Sequence, residues 1–375
     1  MLHSAIQLDQ VADATEAPLA LAVVIPTFNE TANVRTLLER LSLALAGISW
    51  EAIFVDDNSP DGTAEAIRAI GLHSSRVRVL QRIGRRGLSS AVIEGMLATS
   101  APVIAVIDAD LQHDETILPQ LYRAVAEEGK DLAVGTRYAE GGGVGEWNAQ
   151  RHAASRIATR ISHLMTGVEL SDPMSGFFAI SRSALMEALP RVSGVGFKIL
   201  LDIAASPPRP FTVAEIPYRF GTREAGDSKM GALVAAEYLG LLVEKKSGGV
   251  LTPRLMSFLS VGAAGVAVHL AILGSCLAIG IWFEYSQTIA VICAMTFNFF
   301  LNNIFTYRDR RLVGWKIVPG LLSFYAICAM GAAANIGVGT WVNDSDGRWW
   351  IAGVAGAAVG AIWNFAVSSV LTWRK

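Results

Sequence analysis

The carboxylates Asp108 and Asp110 lie two positions apart, directly after the apolar run Val103–Ile107. Two carboxylates this close repel each other unless a cation lies between them. A hard divalent cation with oxygen ligands suits such a pair, and the side-chain oxygen of Gln112 would add one more ligand. A D-x-D pair also occurs in ordinary turns, so its position after an apolar run is what favours a metal site. We therefore interpret these three residues as candidate metal ligands.

Three other apolar runs also end in polar residues, namely PTFNE at 26–30, DDNSPDGT at 56–63 and GTRY at 135–138. Together with the metal motif, three of these ends carry carboxylates and one carries Arg137. Asp61-Gly62 is interpreted as a plain turn. None of the four ends has a His–carboxylate dyad or a nucleophilic Ser or Cys. His113 follows the metal motif and is expected behind the site or exposed to solvent.

The apolar runs alternate with segments of helical periodicity. The predicted strands are Leu21–Ile25, Ala52–Val55, Val77–Leu80, Val103–Ile107 and Leu132–Val134, and the predicted helices cover 30–46, 62–70, 88–98 and 115–128. Such alternation indicates an α/β, mainly parallel sheet that is covered on both faces. Ligands of such sheets bind at the carboxyl ends of the strands, which predicts that the polar residues after the strands lie together.

The composition indicates a second region of a different kind. The chain has 375 residues, of which 52% are hydrophobic and only 17% charged, against about 25% charged in ordinary soluble domains. Four uncharged windows, 255–283, 285–307, 317–343 and 349–373, lie in the last third. Each exceeds the roughly 20 residues that a helix needs to cross a bilayer. We therefore expect an integral membrane protein with four transmembrane helices.

Charge suggests how these helices are oriented. The basic loop Arg308–Lys316 is expected on the cytoplasmic side, as are Arg374 and Lys375. Four spans would then leave the N-terminal region in the cytoplasm, and residues 1–20 show no signal-peptide pattern. The net charge of −2 gives no electrostatic case for a nucleic-acid partner, and three Cys exclude a disulfide scaffold.

The membrane region also contains an internal repeat. A shift of 66 residues aligns Leu255, Ser257, Phe258, Ala263, Gly265 and Ala267 with Leu321, Ser323, Phe324, Ala329, Gly331 and Ala333, and Asn298, Phe299, Thr306 and Arg308 with Asn364, Phe365, Thr372 and Arg374. Chance similarity between apolar segments is the alternative. The repeat predicts two tandem helical hairpins in parallel orientation.

Residues 21–230 resemble a GT-A glycosyltransferase of family 2, in the group of the polyprenyl (dolichyl) phosphate mannosyltransferases. The motifs that carry the resemblance are VVIPTFNE, VDDNSPDGT, DADLQH, VGTRY, the segment 151–156, SDPMSGFFAISR and GTREAGDSK. At NFFLNNIFTYR the C-terminal region resembles the GtrA-like four-helix membrane family. The resemblance implies a tail at 1–20, a Rossmann-like GT-A domain at 21–231, a juxtamembrane interface helix at 232–252 and a transmembrane domain at 253–375.

The resemblance also implies roles for matching residues. The residues implied to bind the nucleotide sugar are Pro26, Phe28, Glu30, Val55, Asp57, Asp108, Ala109, Asp110, Arg223 and Lys229. Phe28 occupies a position where many members have Tyr, and Arg223 and Lys229 would close over the diphosphate as a lid. Asp108, Asp110 and Gln112 would hold Mg2+ or Mn2+ against that diphosphate.

The lipid phosphate of the acceptor would be bound by Arg137, Arg151 and Ser155, and Asp110 and Arg137 are the expected catalytic residues. Asp172 would orient these arginines or would only form a turn. The segment 148–166 has an interfacial amphipathic pattern, although a helix packed on the sheet fits it as well.

These implications predict inverting, metal-dependent transfer of mannose from GDP-mannose to a polyprenyl (dolichyl-type) phosphate at the cytoplasmic membrane face. The same reaction with UDP-glucose or another nucleotide hexose is one alternative. A lipid-linked sugar flippase or transporter is another, but the four windows contain no ionisable side chain apart from His269. A processive polysaccharide synthase is disfavoured because its QxxRW-type signature is absent.

Overall fold

The computed structural model describes residues 18–143, 149–194, 196–221, 232–346 and 349–374. The chain divides into two compact units, Met1–Lys246 and Ser247–Lys375.

A seven-stranded sheet forms the centre of the N-terminal unit. Its strands are β1 (Leu21–Thr27), β2 (Trp50–Asp56), β3 (Val77–Gln81), β4 (Val103–Val106), β5 (Leu132–Thr136), β6 (Phe178–Ser181) and β7 (Val213–Pro217). Their order across the sheet is β3-β2-β1-β4-β6-β5-β7. All neighbours run parallel except β6, which is antiparallel to both β4 and β5. The predicted α/β, mainly parallel architecture is confirmed.

Burial explains why these runs form strands. Every residue of β1 and β2 is buried, as expected for parallel strands covered on both faces. Alternate residues of β1 point to opposite sides, with Val23 in one core and Val24 in the other. The sheet therefore separates two hydrophobic cores, and its strand ends remain available for polar residues.

Helices cover both faces of this sheet. They are α1 (Thr31–Ala44), α2 (Thr63–Gly71), α3 (Leu88–Leu97), α4 (Leu118–Ala126), α5 (Ala149–Thr166), α6 (Arg182–Ala188), α7 (Ile199–Ala204) and α8 (Ala232–Lys246). The predicted helix 115–128 is interrupted, because Glu115–Ile117 is a 3-10 turn and α4 starts only at Leu118, next to Pro119.

The last helix of the unit, α8, is fastened by a buried ion pair. Lys245 Nζ lies 2.5 Å from Asp202 Oδ1, and Asp202 is fully buried. Tyr238 of the same helix donates a hydrogen bond to the Ala158 carbonyl of α5 (2.7 Å). Helix α5 covers most of the segment 148–166, which was predicted to be amphipathic and interfacial. Part of its surface packs against α8, while Leu164 is 82% exposed.

The C-terminal unit consists of long apolar helices. These are α9 (Pro253–Ala278), α10 (Phe283–Leu301), α11 (Ile317–Asp346) and α12 (Trp349–Leu371), and a π-helical turn, Asn302–Thr306, follows α10. Within the described residues, three helical stretches are long and apolar enough to cross a membrane: Pro253–Ala278, Tyr285–Thr306 and Gly314–Ala334. A shorter apolar stretch, Ala358–Leu371, lies in α12.

The 66-residue repeat recurs in side-chain contacts. Ser257 and Thr306 share a hydrogen bond of 2.9 Å, and their counterparts Ser323 and Thr372 share one of 3.0 Å. The amide of Asn298 packs where a Cβ on Gly265 would lie, and the amide of Asn364 does the same at Gly331. Tyr307 and Trp373, also 66 positions apart, stack on each other at 4.1 Å.

Candidate active site

The paired carboxylates occupy the carboxyl end of β4. The side chain of Asp108 is 36% exposed. The Oδ1 atom of Asp110 accepts a hydrogen bond from the backbone N–H of Gln112 (3.2 Å). Leu111, which lies between Asp110 and Gln112, has a φ of +60°, which bends the segment sharply. A Cβ on Gly176 would lie only 3.0 Å from Asp108 Oδ2, so the backbone before β6 passes against this carboxylate.

Gln112 connects the metal motif to a segment far along the chain. Its Nε2 donates to the Gly221 carbonyl (3.1 Å), and the Gly221 N–H donates to the Gln112 carbonyl (2.8 Å). Gly221 directly precedes residues 222–231. The expected lid residues Arg223 and Lys229 fall in that range, outside the described residues.

His113 is buried behind the carboxylates. It is only 5% exposed, and its ring stacks on Phe177 at 5.1 Å. Its Nδ1 accepts the Asp108 N–H (3.2 Å), so the proton of the neutral ring is on Nε2. Burial, assisted by the nearby Arg137, lowers the pKa of His113 to about 3. The imidazole is therefore neutral near neutral pH and supports the Asp108 backbone.

Four of the residues predicted to line a nucleotide pocket, Pro26, Phe28, Glu30 and Val55, lie in or directly after β1 and in β2. Pro26 pairs in register with Val55, which is fully buried in a core. Phe28 and Glu30 follow in the loop after β1, where the Glu30 N–H donates to Thr63 Oγ1 (3.1 Å). Ala109, between the two metal-motif carboxylates, is 3% exposed.

Asp57 is held in place by residues after β3. Its Oδ2 accepts the Gly87 N–H (2.7 Å), and its Oδ1 lies 3.2 Å from Arg82 Nε. Burial raises the pKa of Asp57 above its ordinary value, while the Gly87 N–H and the Arg82 guanidinium oppose that rise. Arg82 is itself 1% exposed. Asp57 thus forms part of a buried charged pair directly after β2.

Sequence reasoning missed this contribution of the third strand end. We name residues 82–87, RIGRRG, the β3 loop. Gly87 has a φ of 139°, a backbone conformation that favours glycine. Arg86 of the β3 loop places its Cζ 4.4 Å from the centroid of the Phe28 ring. The signal was present, because this basic, glycine-containing run directly follows the apolar strand β3.

Arg137 directly follows β5 and is positioned by Asp172. Its Nε and Nη2 donate to the two carboxylate oxygens of Asp172 at 2.6 and 2.8 Å, and Asp172 is fully buried. The guanidinium also lies 5.2 Å from the Phe220 ring. Of the two roles considered for Asp172, orientation of an arginine is therefore observed. Arg151 and Ser155 lie on α5, but their side chains are outside the described residues.

Tyr218 lies close to both the carboxylate site and the arginine site. Tyr218 contacts His113 and Phe177 edge-on, at 5.8 and 5.5 Å. Burial raises the pKa of Tyr218 well above its usual value, and Arg137, Asp172 and Asp108 all act on it electrostatically. One edge of the sheet thus combines an acidic pair that suits a cation with a fixed guanidinium that suits an anion.

Comparisons with known proteins match both units. Residues 22–189 match the family described as glycosyl transferase family 2, and residues 257–373 match the GtrA/DPMS transmembrane domain. The dolichol-phosphate mannosyltransferase of Pyrococcus furiosus is 34% identical over 360 residues, which are 95% of this chain and 99% of that protein. The dolichol-phosphate mannosyltransferase of Saccharomyces cerevisiae is 36% identical over 235 residues, which are 60% of this chain and 85% of that protein.

Among solved structures, glucosyl-3-phosphoglycerate synthase from Mycobacterium tuberculosis, in complex with Mn2+, UDP and phosphoglyceric acid, is similar at 22% identity. The match covers 61% of this chain and 79% of that chain, with a TM-score of 0.46. The GtrA/DPMS match and the long apolar helices identify an integral membrane protein. The near full-length likeness to the Pyrococcus protein shows that the chain is a glycosyltransferase that belongs to the dolichol-phosphate mannosyltransferase family.

Proposed function

We propose that this enzyme transfers mannose from GDP-mannose to a polyprenyl (dolichyl-type) phosphate, giving the lipid-linked mannose and GDP. The observation that carries the proposal is that the segment before β6 reaches both sites, because Asp172 holds Arg137 and Gly176 passes against Asp108. The carboxylate pair suits the donor diphosphate through a cation, and the Arg137–Asp172 pair suits an acceptor phosphate. Relatives named dolichol-phosphate mannosyltransferase support the choice of sugar and lipid.

The residues present fit a divalent cation. Among the described residues, no cluster of three or more His, Cys, Asp or Glu side chains could hold a metal. A cation at Asp108 and Asp110 would therefore have two protein carboxylates and would complete its shell with diphosphate and solvent oxygens, as Mg2+ commonly does. Gln112 is a third candidate ligand through its side-chain oxygen. The cation, Mg2+ or Mn2+, would neutralise charge on the leaving diphosphate.

The acceptor phosphate is assigned to Arg137, Arg151 and Ser155. Because Nε and Nη2 of Arg137 contact Asp172, the orientation of its guanidinium is fixed before a substrate arrives. A phosphate monoester is already ionised near neutral pH, so its attack on the anomeric carbon needs little help from a general base. The low pKa of His113 agrees with this, because an imidazole with a pKa of about 3 is a weak base near neutral pH. A single displacement would invert the anomeric configuration.

The donor side is assigned to Pro26, Phe28, Glu30, Val55, Asp57 and Ala109, together with the metal-binding carboxylates and the lid residues Arg223 and Lys229. The location of Asp57 beside the β3 loop supports this assignment. We further propose four membrane spans with the catalytic unit on the cytoplasmic side. The basic loop Arg308–Lys316 supports that orientation.

The proposal is tested with the purified full-length protein in detergent, dolichyl phosphate and either GDP-mannose or UDP-glucose. We expect a lipid-linked β-mannoside only with GDP-mannose and a divalent cation. If product formed with UDP-glucose but not with GDP-mannose, UDP-glucose would be the donor instead. Retention of the anomeric configuration would contradict the single displacement. If neither donor gave a glycolipid, and the protein reconstituted in vesicles moved a lipid-linked sugar across the bilayer, the flippase alternative would be favoured.

A further inference from the structure

We propose that Arg86 recognises the nucleotide base and selects a guanine nucleotide over a uracil nucleotide. The inference rests on the proposed function, because it assigns a role inside the donor pocket. It concerns a residue of the β3 loop, which none of the sequence motifs discussed above includes.

The β3 loop is fixed against the pocket by contacts at both of its ends. At its start, Arg82 is buried and its Nε lies 3.2 Å from Asp57 Oδ1. At its end, the Gly87 N–H donates to Asp57 Oδ2 (2.7 Å). Arg82 Nη1 also donates to the Gly87 carbonyl (3.2 Å), which closes the loop on itself. Arg86 is therefore presented from a short, anchored loop.

Two neighbouring arginines of this loop differ in what they contact. Arg85 donates to both carboxylate oxygens of Glu94, at 3.0 and 2.6 Å. Arg86 instead lies over the Phe28 ring, at 4.4 Å, and acts electrostatically on Asp57. Within the described part of the chain, no carboxylate lies within 4.0 Å of the Arg86 guanidinium. Arg85 thus has a structural partner, whereas Arg86 faces two residues assigned to the nucleotide.

The geometry of a guanidinium suits one edge of guanine. Arginine has a planar fork of donors and stacks on aromatic faces, so its contact with Phe28 restrains the fork. Guanine presents two adjacent acceptors, O6 and N7, which arginine binds in a bidentate manner. On the corresponding edge uracil has a single carbonyl acceptor, O4, next to a C5–H group that accepts no hydrogen bond. A guanidinium fixed at this point therefore gains one more hydrogen bond with guanine than with uracil.

The test compares the affinities of GDP and UDP for the full-length protein in detergent with Mn2+, by isothermal titration calorimetry. The wild-type protein should bind GDP more tightly. Arg86→Ala should weaken GDP binding about ten-fold and UDP binding much less, as expected for one bidentate base contact. Arg86→Lys keeps the positive charge but loses the fork, so it should lose the same selectivity.

Arg85→Ala is the matched control and should leave the ratio of GDP to UDP affinities unchanged. Equal weakening of both nucleotides by Arg86→Ala, or full selectivity in Arg86→Lys, would show attraction to the diphosphate and would overturn the inference. An unchanged GDP affinity in Arg86→Ala would overturn it too. Mannose transfer from GDP-mannose by the wild-type protein is measured in parallel, so that these failures are distinguished from failure of the proposed function.

Discussion

The two units of the molecule bury polar groups of different kinds. In the N-terminal unit, several buried acids pair with basic residues, as in Asp172–Arg137 and Asp202–Lys245. In the described part of the membrane unit, the buried polar residues are neutral, and hydroxyl pairs such as Ser257–Thr306 join its helices. Charge is costly within a bilayer, whereas neutral hydrogen bonds between helices are tolerated.

The charged pairs position individual residues of the N-terminal unit, whereas the neutral contacts join helices of the membrane unit. The charged pairs of the N-terminal unit are individual, and each holds a particular loop or helix in place. Two kinds of neutral contact in the membrane unit, the Ser–Thr hydroxyl pair and the Asn–Gly contact, occur once per repeat, as expected where they serve helix packing. We therefore expect substitutions at charged groups to have specific effects and substitutions at the repeated contacts to have equivalent ones.

The largest effect is expected at the carboxylate pair. Asp110→Asn should lower kcat for mannose transfer by at least about a hundred-fold, because charge on the leaving diphosphate is no longer neutralised. Initial rates are measured with and without EDTA and added Mn2+. The matched control is Asp114→Asn, since the Asp114 carboxylate caps a 3-10 turn by accepting hydrogen bonds from the N–H (3.1 Å) and the hydroxyl (2.5 Å) of Thr116. A wild-type rate in Asp110→Asn that is also insensitive to EDTA would contradict the metal assignment.

Two of the fully buried acids, Asp172 and Asp202, give the next test. Asp172→Asn and Asp202→Asn should each destabilise the N-terminal unit by about 3 kcal/mol, because each leaves a buried cation without its counter-charge. Only Asp172→Asn should also raise the KM for dolichyl phosphate, since Asp172 orients Arg137. Chemical denaturation and acceptor titrations measure the two effects. An equal change of KM in Asp202→Asn would show that the ion pairs act only through stability.

Overpacking the repeated glycines should produce a smaller, paired effect. Gly265→Leu and Gly331→Leu each force a side chain into the amide of an asparagine, Asn298 or Asn364, at a cost of about 1–3 kcal/mol. Hydrogen exchange should therefore increase to a similar degree in α9–α10 and in α11–α12, respectively. Gly262→Leu is the control, because a Cβ there meets nothing within 4 Å. Unequal effects would mean that the two repeats differ in packing.

The smallest effects are expected at the repeated hydroxyl pairs. Ser257→Ala and Ser323→Ala should each cost roughly 0.6 kcal/mol, the average for hydrogen bonds between membrane helices. Thermal unfolding in detergent should show two similar, small decreases in Tm, and kcat should stay at the wild-type value. A large loss of activity in either variant would give the membrane unit a direct role in the reaction.

Most strands were predictable because hydrophobic periodicity depends on local sequence. The predicted strand Val103–Ile107 is observed as Val103–Val106, and its following carboxylates lie where the parallel pattern requires. The strands β6 and β7 were not predicted. β6 is only four residues long, and its direction in the sheet is set by its neighbours.

The interpretation of Asp61-Gly62 as a plain turn was incomplete. The Asp61 carboxylate accepts hydrogen bonds from the N–H groups of both Thr31 and Thr63, so it joins the starts of α1 and α2. Burial disfavours the charged form of Asp61, but the hydrogen bonds from Thr63 and Thr31 lower its pKa below the ordinary value. Contacts between residues about 30 positions apart have no local signature, and so a turn was all that the sequence indicated.

The sequence by itself determined the α/β alternation, the apolar helices, the repeat and the acidic pair, because each depends on residue type and spacing within one segment. Tertiary structure alone decided the pairing of Arg137 with Asp172. Because β6 runs antiparallel between β4 and β5, its starting end lies at their carboxyl ends. The residues before β6, Asp172 and Gly176, thereby reach Arg137 and Asp108. No local pattern encodes that reversal, since it is set by packing across the whole sheet.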